Sequence, residues 1–198
     1  MNFNEVILTE NKIISLESDK IYCLSEGIAQ LWELHDDGTE ILINILKEGD
    51  ALKLPTFNFN SIYELRSNKG TAEILVYNWN SIQRIEEKYF LLNKINSTLM
   101  RNEYLNLIKR TKFVKNRLIS LLQLLAQEYG ERGENSEWII KVSLTHEQLA
   151  SLILSTRATV TKILSELKRD NLVKSFYGCI CLNEDYLNSM RFNFRVSA

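Results

Sequence analysis

The apolar positions of this chain change their period once. Up to about residue 78 they form short runs or alternate with polar residues, as strands require. Segments 21–24, 28–34, 41–46 and 72–77 are of this kind, punctuated by Glu26-Gly27, Asp36-Asp37-Gly38 and Glu48-Gly49-Asp50. Asp37-Gly38 between two such runs is a hairpin signal. Many short strands with closely spaced turns predict a small sandwich or roll. The stretch 55–70 shows no clear period.

From about Asn80 the period becomes helical. Residues 80–129 contain neither Gly nor Pro and favour helix throughout. Leu92, Ile95 and Leu99 open a stripe that continues through Leu105 and Ile108. A helix this long leaving a small domain carries more apolar face than that domain covers, so the stripe suits a second copy of itself. Packing on its own domain is the competing expectation. Leu118, Leu121, Leu122, Leu125 and Tyr129 predict a further helix, ended by Gly130 and Gly133. Residues 137–144 read as a strand, 145–171 as two helices, and 173–182 as a hairpin turning at Tyr177-Gly178. The expected organisation is α+β: a β domain over 1–88, a connecting helix over 89–114, and a helical domain with a hairpin over 115–198.

Composition narrows the class. The 198 residues are 45% hydrophobic and 25% charged, which argues against wholesale disorder. No segment is apolar and long enough for a membrane helix, and MNFNEVILTE lacks the basic start and apolar run of a secretory signal. Cys23, Cys179 and Cys181 make no even disulfide framework and no CxxC, so a reducing compartment is expected. Abundant Asn, Lys and Ile suggest an AT-rich genome.

The net charge of -1 hides a polarisation. Residues 1–88 hold 8 basic and 15 acidic side chains, whereas 89–128 hold 7 and 2. From Ser155 onward the count is 7 basic to 4 acidic. A local cationic surface points the second half towards a polyanion.

That surface has a specific shape in residues 145–173, THEQLASLILSTRATVTKILSELKRDNLV. The Thr145 hydroxyl suits a helix cap. Leu149, Ala150 and Ile153 face inward on a first short helix, and Val160, Ile163, Leu164 and Leu167 on a second. Ala150 is small enough for two helices to cross closely. The outer face of the second helix then presents Arg157, Ala158, Thr161, Lys162 and Ser165, with no acid between Ser155 and Ser165. Short and cationic side chains fit a major groove, where Arg makes two hydrogen bonds to guanine O6 and N7. This is a helix-turn-helix for double-stranded DNA. The hairpin adds a wing, from which Lys174 can reach the phosphate backbone.

Here the sequence resembles the CRP/FNR family of transcription regulators, and within it the NtcA-type global nitrogen regulators. KNRLISLLQLLAQEYG, LTHEQLA and STRATVTKIL carry the resemblance over residues 115–182, and it extends more weakly through 21–50 with glycines at 27, 38 and 49. It implies a β-roll sensor like a cyclic-nucleotide-binding jelly roll, a long dimerisation helix, and a C-terminal winged helix. Such a homodimer binds palindromic promoter sites. Carried over by position, Arg157 and Lys162 match base-reading residues, and Thr145, His146, Thr156 and Thr159 match phosphate contacts. Ala158 stands where relatives with an acid read cytosine; it matches the apolar residue of the nitrogen-regulator branch and could touch a thymine methyl. The family places Gly in the turn between the two helices, but this chain has Leu154, and a left-handed leucine costs roughly 1–2 kcal/mol. Activation, contact with RNA polymerase, and a bacterial cytoplasm or plastid stroma are further expectations.

The sensor half departs from the family. No Gly-Glu pair with a nearby Arg-Ser or Arg-Thr follows Asp50, which argues against cyclic AMP. Cys23 stands alone before residue 179, so an iron–sulfur cluster has no ligand set. His35 and His146 are too isolated for a metal site. The nitrogen-regulator branch is associated with 2-oxoglutarate, yet Ile62 and Thr98 occupy the positions of its ligand arginines, while Glu103 matches its acidic partner across the dimer. Arg66 and Arg101 are nearby substitutes. The front of the roll is shorter than the family pattern, so 2-oxoglutarate binding and a degenerate or constitutively active sensor both stay open.

Catalysis has little basis: no GxSxG, HExxH, P-loop or GxGxxG occurs. The alternative of another class is an effector-binding or protein-interaction module whose helix-turn-helix no longer reads DNA.

Overall fold

A computed structural model describes residues 3–10, 12–54, 61–133, 137–176 and 179–183. The chain divides into two compact units, Met1–Leu107 and Ile108–Ala198.

The first unit is the expected roll. Among the described residues its strands are β1 (Asn4–Leu8), β2 (Ile13–Ser15), β3 (Lys20–Glu26), β4 (Ile28–His35), β5 (Glu40–Lys47), β6 (Ala51–Lys53), β7 (Ser61–Ser67) and β8 (Ala72–Asn78). They form two antiparallel sheets, ordered β1-β8-β3-β6 and β2-β7-β4-β5. Both sheets contribute to one core, with Leu8, Tyr22, Leu24 and Ile74 from the first and Ala29, Leu31, Leu46 and Leu65 from the second. The alternating segments read from the sequence correspond to β3, β4, β5 and β8. The short edge strands β1 and β2 were not anticipated, because three to five residues show too little period to read. In the aperiodic stretch, 61–67 is β7, while 55–60 lies outside the described residues. The Asp37-Gly38 hairpin joins β4 to β5. Gly27 needs to be glycine twice over: its φ is 83°, and a Cβ there would stand 2.5 Å from the Thr71 carbonyl oxygen.

After a 3-10 turn at Trp79–Ser81, helix α1 runs from Ile85 to Arg110, its last turn belonging to the second unit. The apolar stripe splits. Leu91 and Ile95 pack towards Ile21, Cys23, Ala51 and Tyr77 of the roll, whereas Leu92 and Leu99 remain exposed. The helix therefore packs on its own domain along one side and leaves an apolar side exposed.

Helical propensity does not carry through 80–129 unbroken, because Thr111–Phe113 interrupt it and α2 begins at Val114. In α2 (Val114–Tyr129), Leu118, Leu121, Leu122 and Leu125 are buried as their spacing predicts. Gly130 ends the helix with extended backbone, not a left-handed cap, and opens β9 (Gly130–Arg132), a strand the sequence did not reveal. β10 is shorter than expected, Glu137–Ile140. Two short helices follow, α3 (His146–Leu152) and α4 (Arg157–Arg169), then β11 (Val173–Phe176) and β12 (Cys179–Asn183). The sheet order β11-β12-β10-β9 completes a winged helix; the predicted wing tip Tyr177-Gly178 lies outside the described residues.

Candidate nucleic-acid interface

Three local devices fix the geometry of α3 and α4. The first is a reciprocal cap. The Gln148 amide donates to Thr145 Oγ1 at 3.1 Å, and the Thr145 amide donates to Gln148 Oε1 at 2.9 Å. The Thr-x-x-Gln spacing was the available signal for it. The second is the Thr156 cap of α4, whose hydroxyl accepts from the Thr159 amide at 3.2 Å and meets the Thr159 hydroxyl at 2.9 Å.

The third device is the turn itself. The Ser155 amide donates to the Ala150 carbonyl at 2.9 Å and the Leu154 amide to the Ser151 carbonyl at 3.2 Å. That pattern is a Schellman ending, which places its C′ residue left-handed. The residue is Leu154, with φ of 53°, so the turn keeps its place and the strain is tolerated. Its side chain is 61% exposed, and Arg117 Nη1 of α2 stands 3.5 Å from its carbonyl oxygen. The same ending recurs after α4 with Asn171 at φ of 57°, where the Leu172 amide reaches the Leu167 carbonyl.

With the apolar faces of both helices buried, including Ala150, Ile153, Val160 and Leu164, the other face of α4 is open. Arg157, Ala158, Thr161 and Lys162 are all exposed, and within the described residues Arg157 and Lys162 make no ion pair or hydrogen bond. Thr145 and Thr156 are exposed at the starts of α3 and α4, where unpaired amides favour an anion. His146 bridges the helices: its Nδ1 lies 2.8 Å from Thr161 Oγ1. Burial, reinforced by the charges of Lys168 and Arg157, holds its pKa below the ordinary 6.5. Lys174 is exposed on β11, but its Nζ donates to Glu137 Oε1 of β10 at 2.5 Å, an engagement the sequence did not suggest. Cys181 is buried and Cys179 half-buried on β12.

The effector candidates in the first unit are placed differently. Arg66 on β7 makes a two-pronged pair with Glu40 at 2.8 and 2.9 Å. It also reaches Glu64 at 3.0 Å and lies 5.0 Å over the Trp32 ring. Arg101 on α1 pairs with the buried carboxylate of Asp50. Glu103 is exposed and accepts from Asn106 Nδ2 at 3.4 Å. Ile62 is exposed, whereas Thr98 is 2% exposed and bonded to the roll. Burial pushes the Cys23 thiol up to about 11, leaving it protonated at neutral pH. Among the described residues no three His, Cys, Asp or Glu side chains are grouped to hold a metal, and no helix is long and apolar enough to cross a membrane.

A roll of the cyclic-nucleotide-binding type, a long helix and a winged helix with an exposed cationic face define a DNA-binding transcription regulator. The comparisons agree: residues 116–190 match the Crp-like helix-turn-helix domain. The chain thus carries a Crp-like helix-turn-helix domain, and the proteins it is similar to are transcription regulators. It is 27% identical over 195 residues to an HTH-type transcriptional regulator of Porphyra purpurea named ycf28, covering 95% of this chain and 81% of that one. It is 24% identical over 164 residues to the global nitrogen regulator of Synechococcus elongatus, covering 79% and 73%. A crystal structure of a CRP/FNR-family regulator from Thermus thermophilus superposes with a TM-score of 0.73 at 21% identity, over 94% of this chain and 97% of that one.

Proposed function

We propose that the protein acts as a homodimer that inserts α4 into the major groove at each half of a palindromic promoter site. Arg157 is the guanine-reading residue, with Lys162 and Thr161 beside it and Ala158 against a thymine methyl. Thr145, His146, Thr156 and Thr159 hold phosphates at the helix starts, and Lys174 follows the backbone from the wing once it leaves Glu137. The observation that carries this reading is the outward face of α4, whose two cations have no partner within the described residues.

Dimerisation has its own support in α1. Ile85, Tyr89, Leu92, Asn96, Leu99 and Glu103 are exposed at alternating spacings of four and three, the pattern of a coiled-coil seam with a polar Asn to set register. In this division of labour, residues 1–88 are the roll, 89–114 the dimerisation helix and 115–198 the DNA-binding domain. Likeness to global nitrogen regulators supports a role in nitrogen control, and activation through RNA polymerase accords with the family. The setting we assign is a bacterial cytoplasm or a plastid stroma.

Selection of bound sites from a random duplex pool tests the reading. It should return a two-fold symmetric sequence with half-sites about one helical turn apart. Affinity for that site should fall steeply with salt as counterions are released. Equal, salt-insensitive binding to selected and random duplexes would mean that the helix-turn-helix has become a packing unit.

A further inference from the structure

Beside the apolar packing of Leu91 and Ile95, α1 makes a polar contact with the roll. Its centre is Asp50, in the β5–β6 turn and only 5% exposed. One carboxylate oxygen accepts from the Lys47 amide at 2.7 Å and pairs with Arg101. The other faces the Thr98 hydroxyl at 3.3 Å. That hydroxyl accepts from the Ala51 amide at 3.1 Å, and its single proton is shared between Asp50 and the Lys94 carbonyl. Two further contacts flank the centre: Lys94 Nζ to the Gly49 carbonyl at 3.4 Å, and Asn44 to Asn102 at 2.5 Å. Residues 94, 98, 101 and 102 lie on one side of α1. One face of the helix is therefore tied to the roll around a single buried carboxylate, that of Asp50.

We propose that Asp50 is a built-in anion, which occupies Arg101 and Thr98 as a diffusible carboxylate effector would and so holds α1 in its DNA-binding arrangement without one. An incoming anion would have to evict a carboxylate already satisfied by a guanidinium, a hydroxyl and a main-chain amide. Eviction would leave Asp50 buried and unpaired, which is far costlier than any exposed exchange. Arg66, the other cation near the expected ligand positions, is held by Glu40 and Glu64. Since α1 runs on into the second unit, the tie constrains the helix that leads to the DNA-binding elements.

The inference rests on the DNA-binding reading, and the experiment separates the two. Binding of the selected duplex is measured by fluorescence anisotropy for the wild type with and without saturating 2-oxoglutarate or cyclic AMP. Affinity should change less than about twofold, well below the five- to 150-fold of ordinary allosteric coupling. Asp50→Ala should weaken DNA binding about tenfold or more, and formate or acetate, filling the vacated space beside Arg101, should restore most of it. The same carboxylates should raise the melting temperature of Asp50→Ala and not that of the wild type, a readout that needs no DNA. Should Asp50→Ala fail to fold, Asp50→Asn, equal in size but uncharged, should show the affinity loss by itself.

A wild type whose affinity follows 2-oxoglutarate or cyclic AMP overturns the proposal. So does a folded Asp50→Ala that keeps its affinity or ignores both carboxylates, or an Asp50→Asn that binds DNA like the wild type. A wild type that binds no duplex sinks the functional reading instead, while the melting shifts still report on the anion site.

Discussion

The two units use the same side chain in opposite ways. In the second, Arg157 projects from α4 with no carboxylate bonded to it within the described residues. In the first, Arg66 is gripped by Glu40 and Glu64 and stacked over Trp32, and Arg101 is tied to Asp50. A solvated cation contributes little to folding and stays available for a ligand. A cation enclosed by its own carboxylates has become part of the framework. Residue type alone does not separate these cases; the partner does.

The largest expected effect lies beneath the DNA-reading face. Leu167 is fully buried on the inner face of α4, so Leu167→Ala should cost about 2–5 kcal/mol of stability by leaving a cavity. Thermal unfolding followed by circular dichroism would read it, and DNA binding should fall with the folded fraction. A smaller loss would mean that α4 can settle onto the remaining core.

Next come two arginine substitutions, which should diverge. Arg157→Ala should leave the melting temperature unchanged, cost about 1–3 kcal/mol in binding to the selected duplex and relax one base position. Arg66→Ala should do the reverse: DNA affinity holds, but stability falls by about 1–2 kcal/mol because the half-buried Glu64 loses its charged partner. Anisotropy titrations paired with melts on both variants decide it. If both behave alike in either assay, the contrast between the units is wrong.

These contrasts also indicate where the sequence was sufficient. The helix-turn-helix was legible because its information is local: Thr145 caps, Leu149 to Leu167 keep a helical period, and Arg157 to Ser165 lack acids. The strands with clear alternation were legible for the same reason. The β1 and β2 edges were too short to show a period, and Gly130, which looks like a helix cap, starts a strand because its extended backbone pairs with Ile140. Least legible was the fate of Arg66 and Arg101. Apart from Glu64, two residues from Arg66, their partners are 26 and 51 residues distant in sequence, at Glu40 and Asp50, and no periodicity encodes such pairing.

Leu154 supplies a smaller and unusual test, since the expected change is a gain. The residue is left-handed at φ of 53° and its side chain is mostly in water, so little packing is lost on truncation. Leu154→Gly removes the roughly 1–2 kcal/mol of strain at the cost of backbone entropy, for a net gain of about 0.5–1 kcal/mol. A higher melting temperature with unchanged DNA affinity is the expected result. A drop in affinity instead would show that the leucine, or its carbonyl beside Arg117, holds the two helices at their working angle.

The smallest effect is a matter of protons, and it separates stability from binding by sign. His146 in the native protein has its pKa held below the ordinary 6.5 by burial and by Lys168 and Arg157, so the unfolded chain protonates first as pH falls. The contribution to stability is therefore complete above that ordinary value and is lost as pH drops towards the lowered native one. A phosphate beside the imidazole acts oppositely, favouring the charged ring and raising the pKa in the complex. DNA binding should then take up a proton, and affinity should strengthen between about pH 8 and pH 6 while the melting temperature slips. His146→Gln keeps a hydrogen-bonding group for Thr161 but cannot titrate, so it should flatten both slopes. An affinity that stays level across the range in the wild type would place the phosphate away from His146, and the DNA backbone would have to be redrawn over Thr145, Thr156, Thr159 and Lys174.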